Sequence, residues 1–156
     1  MNNSNENSLN NTEVLIIQSV LDYINNHKDD MKLPCDVELE DIAPKGLSMS
    51  LQQITGEKYT EKDIIGNENG SFPFAIYSQN TNVDKISIIQ PLWNISKYFD
   101  GHNQEIEISN SITVNIEMTG TPGLYSRAKD GTVIYQAIYK VEYYKEVKES
   151  WQLKLD

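Results

Sequence analysis

Two strand-like stretches towards the end of the chain restrict its fold more than any other feature. Across residues 111–119, Ile112, Val114, Ile116 and Met118 alternate with polar neighbours, a period of two that marks a strand with one buried face. Gly120, Pro122 and Gly123 interrupt it, and the chain resumes at Thr132 as TVIYQAIYKVEYYKE, dense in β-branched and tyrosine residues. Val133, Tyr135, Ala137, Tyr139, Val141 and Tyr143 share one face there; Ile134, Gln136, Ile138, Lys140, Glu142 and Tyr144 share the other. A strand this long needs a neighbour for its backbone groups, and the preceding strand is the nearest. The pattern predicts a long β-hairpin closed by a polar loop over residues 120–131.

At 156 residues the chain reads as one domain, able to bury roughly 70% of its unfolded surface. Thirteen basic against twenty-three acidic side chains leave a formal charge of −10. Such a surface repels phosphate backbones, and the scattered Lys and Arg residues form no cluster to offset it, which disfavours ordinary nucleic-acid binding. Cys35 is the only cysteine, so no intramolecular disulfide is possible. The opening MNNSNENSLNN has neither a basic nor an apolar region of a secretory signal, and no apolar run approaches the ~20 residues that span a bilayer. The expectation is a soluble protein made in a cytoplasm.

Taken in order, residues 1–11 are too poor in apolar side chains to fold alone and are expected to be disordered. With Thr12 as N-cap, Val14, Ile17, Leu21 and Ile24 fall at helical spacing, widened by Ile16, Val20 and Tyr23, and the helix runs to about Asn26 or Lys28. Pro34 and Pro44 bound a connector in which Val37, Leu39 and Ile42 form a short strand or anchor the loop. Leu47, Met49 and Leu51 alternate with Ser48, Ser50 and Gln52 in a strand; residues 55–70 read as a polar loop with a turn at Asn69-Gly70. The strand SFPFAIYSQ follows, its Pro73 suited to a strand start or a sheet edge. A second helix capped within residues 80–82 and ending near Gly101 carries Val83, Ile86, Ile89, Leu92 and Trp93, with Pro91 marking a kink or a later start. Trp93 and Ile116 are expected to be buried where this helix meets the sheet. Ile106 and Ile108 suggest a short edge strand, and residues 146–156 form a charged C-terminal tail whose largest anchor is Trp151. The fold class is α+β: a mostly antiparallel sheet with a long C-terminal hairpin, packed by two α-helices on one face, within a single domain over residues 12–145.

Chemistry-bearing constellations are sparse. His27 and His102 sit at apparent helix ends, where an imidazole complements the helix dipole more readily than it binds a metal. Cys35 lies in a proline-flanked connector with no helix N-terminus to activate it. There is no G-x-S-x-G elbow and no P-loop, and the acid pairs Asp29–Asp30, Asp36–Glu38 and Glu40–Asp41 read as solvated faces. No catalytic residue, cofactor or metal site is assigned. The tyrosines Tyr135, Tyr139 and Tyr143 on one strand face are either core residues or part of a sheet face covered by another subunit.

The ordered set LSMSLQQI, PFAIY, a helix with a central tryptophan, and IEMTGTPGLYSRAKDGTVIYQAIYKVEYY resembles the small tail-terminator or minor capsid proteins of tailed phages and prophages of Gram-positive bacteria. The shared hairpin pattern is a strand ending Met118-Thr119-Gly120-Thr121-Pro122, a charged loop, Asp130-Gly131, and Tyr135-Gln136-Ala137. The resemblance covers roughly residues 12–145. It implies a virion structural protein at the head–tail junction: a homo-oligomeric ring, commonly a hexamer, that sits on the last tail-tube ring, stops tube polymerisation and meets the head–tail connector. An acidic lumen would let DNA slide through without trapping it. Alternatives are a neck or head-completion protein on the connector side and a soluble acidic binding module; a hydrolase is disfavoured by the missing motifs, and the expectation is that the chain is not an enzyme. The 120–131 loop is longer than hairpin closure needs, and it holds Leu124, Tyr125, Arg127 and Lys129, an apolar and basic group in an acidic protein. These four residues are the candidate contacts to a neighbouring subunit or the tail tube.

Overall fold

The computed structural model describes residues 3–109 and 111–147, with the backbone alone for 3–11 and 104. The chain is an α+β fold in which two long helices pack on one face of a six-stranded, mostly antiparallel sheet. Helix α1 (Asn3–Asn26) buries Ile16, Ile17, Val20, Tyr23 and Ile24, the stripe that helical spacing predicts. It starts at Asn3, so helical backbone reaches into the stretch expected to be disordered, and Thr12 lies within the helix instead of capping it. Once an apolar stripe anchors a helix, adding a polar residue at its end costs no new nucleation. A short helix α2 (Lys28–Met31) follows and ends at Lys32 in the left-handed region.

The strands are β1 (Val37–Leu39), β2 (Ser48–Gln53), β3 (Tyr59–Lys62), β4 (Glu68–Thr81), β5 (Ile112–Arg127) and β6 (Thr132–Lys145). They lie in the order β1-β2-β4-β6-β5, with β3 also pairing β4. All pairs are antiparallel except β1 with β2. On the helix side, Met49, Leu51, Phe72, Phe74, Ile76, Ile116, Tyr139 and Val141 form one core with α1 and with α3 (Lys85–His102). Tyr135, Tyr139 and Tyr143 belong to this core, which settles their choice between core and interface. The Tyr139 hydroxyl donates to the Leu92 carbonyl at 2.8 Å, and its ring stacks on Phe74 at 5.2 Å.

Several expectations change. Residues 55–70 are not one loop: β3 pairs with β4 over Tyr59↔Ser71 to Lys62↔Glu68, and Asn69-Gly70 lies inside β4. The turn is at residues 63–67, where the Asp63 carboxylate accepts from the backbone N–H groups of Ile65, Gly66 and Asn67. Gly70 serves a different purpose, because a Cβ there would strike the Tyr143 ring. Pro73 stands in mid-sheet, where β4 changes neighbours: β2 pairs as far as Phe74 and β3 from Ser71, so no ladder bond on that side needs its missing N–H.

Helix α3 is capped by Asp84, whose carboxylate accepts from Ser87 N–H, and it continues through Pro91 and Gly101. Ile88, Leu92, Ile95 and Phe99 make its buried stripe, so Trp93 turns out to solvent at 42% exposure while Ile116 is fully buried. Residues 103–105 form a 3-10 turn in place of the expected edge strand, leaving only an isolated bridge at Ser109↔Ile112. The hairpin is also longer than expected. Strand β5 runs through Gly120, Pro122 and Gly123 to Arg127, with register shifts at Met118/Gly120, Gly120/Gly123 and Leu124/Ser126. An edge strand tolerates a proline, and bulges absorb the glycines. Of the expected C-terminal tail, Glu146 N–H donates to the Ser111 carbonyl and Val147 N–H to Asn67; residues 148–156, with Trp151, lie outside the described residues.

Candidate partner-binding site

Only residues 128–131 separate β5 from β6, so the candidate site is a strand end and a tight turn, not a long loop. The turn is tied internally: Ala128 N–H donates to the Thr132 carbonyl at 2.8 Å and Gly131 N–H to the Ala128 carbonyl. Gly131 has φ +92°, and a side chain there would collide with the Asn82 amide. The Asp130 carboxylate accepts from Thr132 N–H at 2.9 Å. That backbone bond, with help from the nearby Lys45 charge, holds its carboxyl below the ordinary aspartate range.

The four candidate residues are all exposed, yet they do not share a face. Leu124 pairs with Tyr135 and Arg127 with Val133, which places both on the helix side of the sheet. Tyr125, in the bulge between them, turns to the opposite side and packs edge-on against Tyr77 at 4.8 Å. Tyr77 is buried there, its hydroxyl accepting from Gln136 Nε2 at 2.8 Å. Lys129 sits in the turn itself. The site is therefore the end of the sheet and not a single surface of it.

That end also gathers residues from two other segments, which the sequence reading passed over. Gly46 N–H donates to Thr81 Oγ1, Thr81 Oγ1 meets Thr132 Oγ1 at 2.9 Å, and Asn82 N–H donates to the Gly131 carbonyl. These bonds bring Lys45, Leu47, Val83, Lys85 and Ile86 to the same end as the hairpin turn. Leu47, Val83, Ile86 and Leu124 are between 43% and 67% exposed. The sequence pattern set Leu47 in the apolar row of a strand and Val83 and Ile86 in the apolar stripe of a helix; the structure instead leaves all three exposed at this end, because the buried stripe of α3 runs through Ile88, Leu92, Ile95 and Phe99.

Two further places carry polar chemistry. A groove of about 670 Å³ crosses the sheet face away from the helices, lined by Ile54, Gly56, Pro73, Ile138, Lys140 and Glu142 among others. At the C-terminal ends of α1 and α3, His27 and His102 each turn Nδ1 to the carbonyl one turn back, that of Tyr23 and Tyr98. The Tyr98 and His102 rings stack at 4.0 Å, and Tyr23 donates to Glu105 at 2.9 Å. Burial above all, then Glu105, pushes the Tyr23 phenol up. Burial likewise pushes up the Cys35 thiol. Among the described residues no three His, Cys, Asp or Glu side chains converge on a metal-sized site.

No family model and no curated protein matches the chain.

Proposed function

We propose that this chain is a phage tail-terminator protein: a subunit of a ring that caps the tail tube, ends its polymerisation and faces the head–tail connector. The observation that carries the reading is the assembled end of the sheet. Leu124, Val83, Ile86 and Leu47 stand exposed beside Arg127 and Lys129 in a chain of charge −10. Exposed apolar groups and an arginine gathered around a turn that is tied by its own hydrogen bonds are what a protein contact uses. The resemblance in the order of LSMSLQQI, PFAIY and the closing hairpin supplies the partner. The acidic remainder supports a lumen that DNA crosses without adhering.

The test is tube polymerisation in the presence of the chain. The expected result is shorter tubes bearing a ring at one end, seen by electron microscopy. Leu124→Glu with Arg127→Glu should leave the fold intact and tube length uncontrolled. Tubes that grow to the same length with and without the wild-type chain remove the reading. A soluble binding module is the second reading, favoured by the groove over Ile138 and Pro73.

A further inference from the structure

The opposite end of the sheet holds a second feature that nothing in the fold explains. The β3–β4 turn carries Ile64 with its side chain entirely in solvent and Ile65 half exposed. This is not a loose loop. Asp63 accepts from Ile65 N–H at 2.9 Å, Gly66 N–H at 2.9 Å and Asn67 N–H at 3.0 Å, and its second oxygen accepts from Asn67 Nδ2 at 3.0 Å. Desolvation opposes its ionised form, but these bonds outweigh it and keep the carboxyl below the ordinary range. Val147 N–H donates to Asn67 Oδ1 and fastens the turn to the end of β6. Two isoleucines on a locked turn, in water, form a preorganised apolar knob.

We infer that this knob docks on the exposed patch at the hairpin end of a second copy of the same chain, in a head-to-tail contact. Charge decides the orientation. The hairpin end carries Lys45, Lys85, Arg127 and Lys129 against Asp84, Asp130 and Glu40, whose charge reaches Tyr77 beneath Tyr125, a small basic surplus on an acidic protein. The knob end carries Glu61, Asp63, Glu68 and Glu146 against Lys62 and Lys145, an acidic surplus that the Lys62–Glu68 pair at 3.9 Å leaves unchanged. Two copies approaching hairpin end to hairpin end set base against base. Knob to knob sets acid against acid. Only knob to hairpin end pairs opposite signs, and there both faces also offer apolar side chains: Ile64 and Ile65 against Leu124, Val83 and Ile86.

A contact of this kind is heterologous: each copy uses one face and leaves the other open, so assembly continues until it closes on itself or runs on as a filament. The inference deepens the ring reading by naming the faces that meet, and its test involves no tube protein. The wild-type chain should self-associate in sedimentation equilibrium. Ile64→Ser with Ile65→Ser should abolish this, as should Leu124→Ser with Ile86→Ser, and both should melt within a few degrees of wild type because all four side chains are exposed. Mixing the two variants should then restore a dimer, since one still has its knob and the other its patch, and that dimer should grow no further. A wild-type chain that remains monomeric at roughly millimolar concentration overturns the inference, as does a mixture that stays monomeric. Variants that still associate overturn it too. A chain that associates head to tail but leaves tube length unchanged keeps this contact and loses the tube-capping function.

Discussion

The side-chain amide of Asn103 closes a two-bond ring with the backbone of Ile116: Ile116 N–H donates to Oδ1 at 2.8 Å, and Nδ2 donates to the Ile116 carbonyl at 3.0 Å. Ile116 lies in β5, an edge strand, and the asparagine stands in for one rung of an absent neighbour. Asn25 does the same for Val37 in β1 at the other edge, with bonds of 2.8 and 2.9 Å. Each outer strand is thus closed by a residue from the end of a helix packed on the sheet, a local guard against edge-to-edge pairing.

Asn103→Ala should therefore cost about 1–3 kcal/mol, because it leaves a backbone donor and acceptor of β5 without partners. It should also raise the aggregation rate at fixed temperature, read by light scattering. A variant as stable and as soluble as wild type would show that water replaces the amide at no cost.

Ile116→Ala should cost ~2–5 kcal/mol in denaturant unfolding, since the side chain is fully buried under α3. Trp93→Ala should cost much less, despite the larger side chain removed, because Trp93 is 42% exposed. Equal losses at the two sites would mean that α3 is rotated about its axis relative to this structure.

Tyr143 donates to Glu68 at 2.6 Å in the core, and burial first, then that carboxylate, raises its phenol pKa. The shift is upward, so the stabilisation is complete below the unfolded tyrosine value of ~10 and is lost as pH rises through the higher folded value. Burial alone raises Tyr139 in the same way. In an alkaline titration followed by phenolate absorbance, both should ionise only as the chain unfolds, and Tyr143→Phe should remove one phenol from that late class. A Tyr143→Phe variant with an unchanged late class would place the ring in solvent.

Gly131→Ala should lower stability by more than 1 kcal/mol, because φ +92° strains any side chain and the new methyl group meets Asn82. Gly101→Ala is the contrast: that helical position has open space around it, so the change should be neutral or stabilising in the same thermal melt.

The parts of the fold that were legible in the sequence are those where one face is buried and the other is not. Alternation gave the faces of β6 and the first half of β5, and the helical stripe gave the buried side of α1. Strand β3 was invisible because all four of its residues are exposed, so no apolar alternation exists to be read. Gly120 to Arg127 read as loop because glycine and proline normally break strands, and only the edge position with its bulges excuses them here. Trp93 was misplaced by assuming that the largest apolar side chain faces inward; the spacing of Ile88, Leu92, Ile95 and Phe99 sets the helix phase against it. The four candidate residues lay at a real sheet end, but their partition between faces depends on a register shift that sequence does not display. The residues joining them from 45–47 and 83–86 come through hydrogen bonds between distant segments.

Pro73 acts on β4 as a detent acts on a sliding bar. The smallest slip that keeps every side chain on its own face is two residues. Moved that far one way, the proline would stand opposite Gln52 in β2, where Ala75 now sits; moved the other way, it would stand opposite Tyr59 in β3, where Ser71 now sits. Either position puts a residue without an N–H into a ladder that now has none missing. The long central strand therefore has one resting place, and an imino acid that looks like a flaw in mid-sheet marks it.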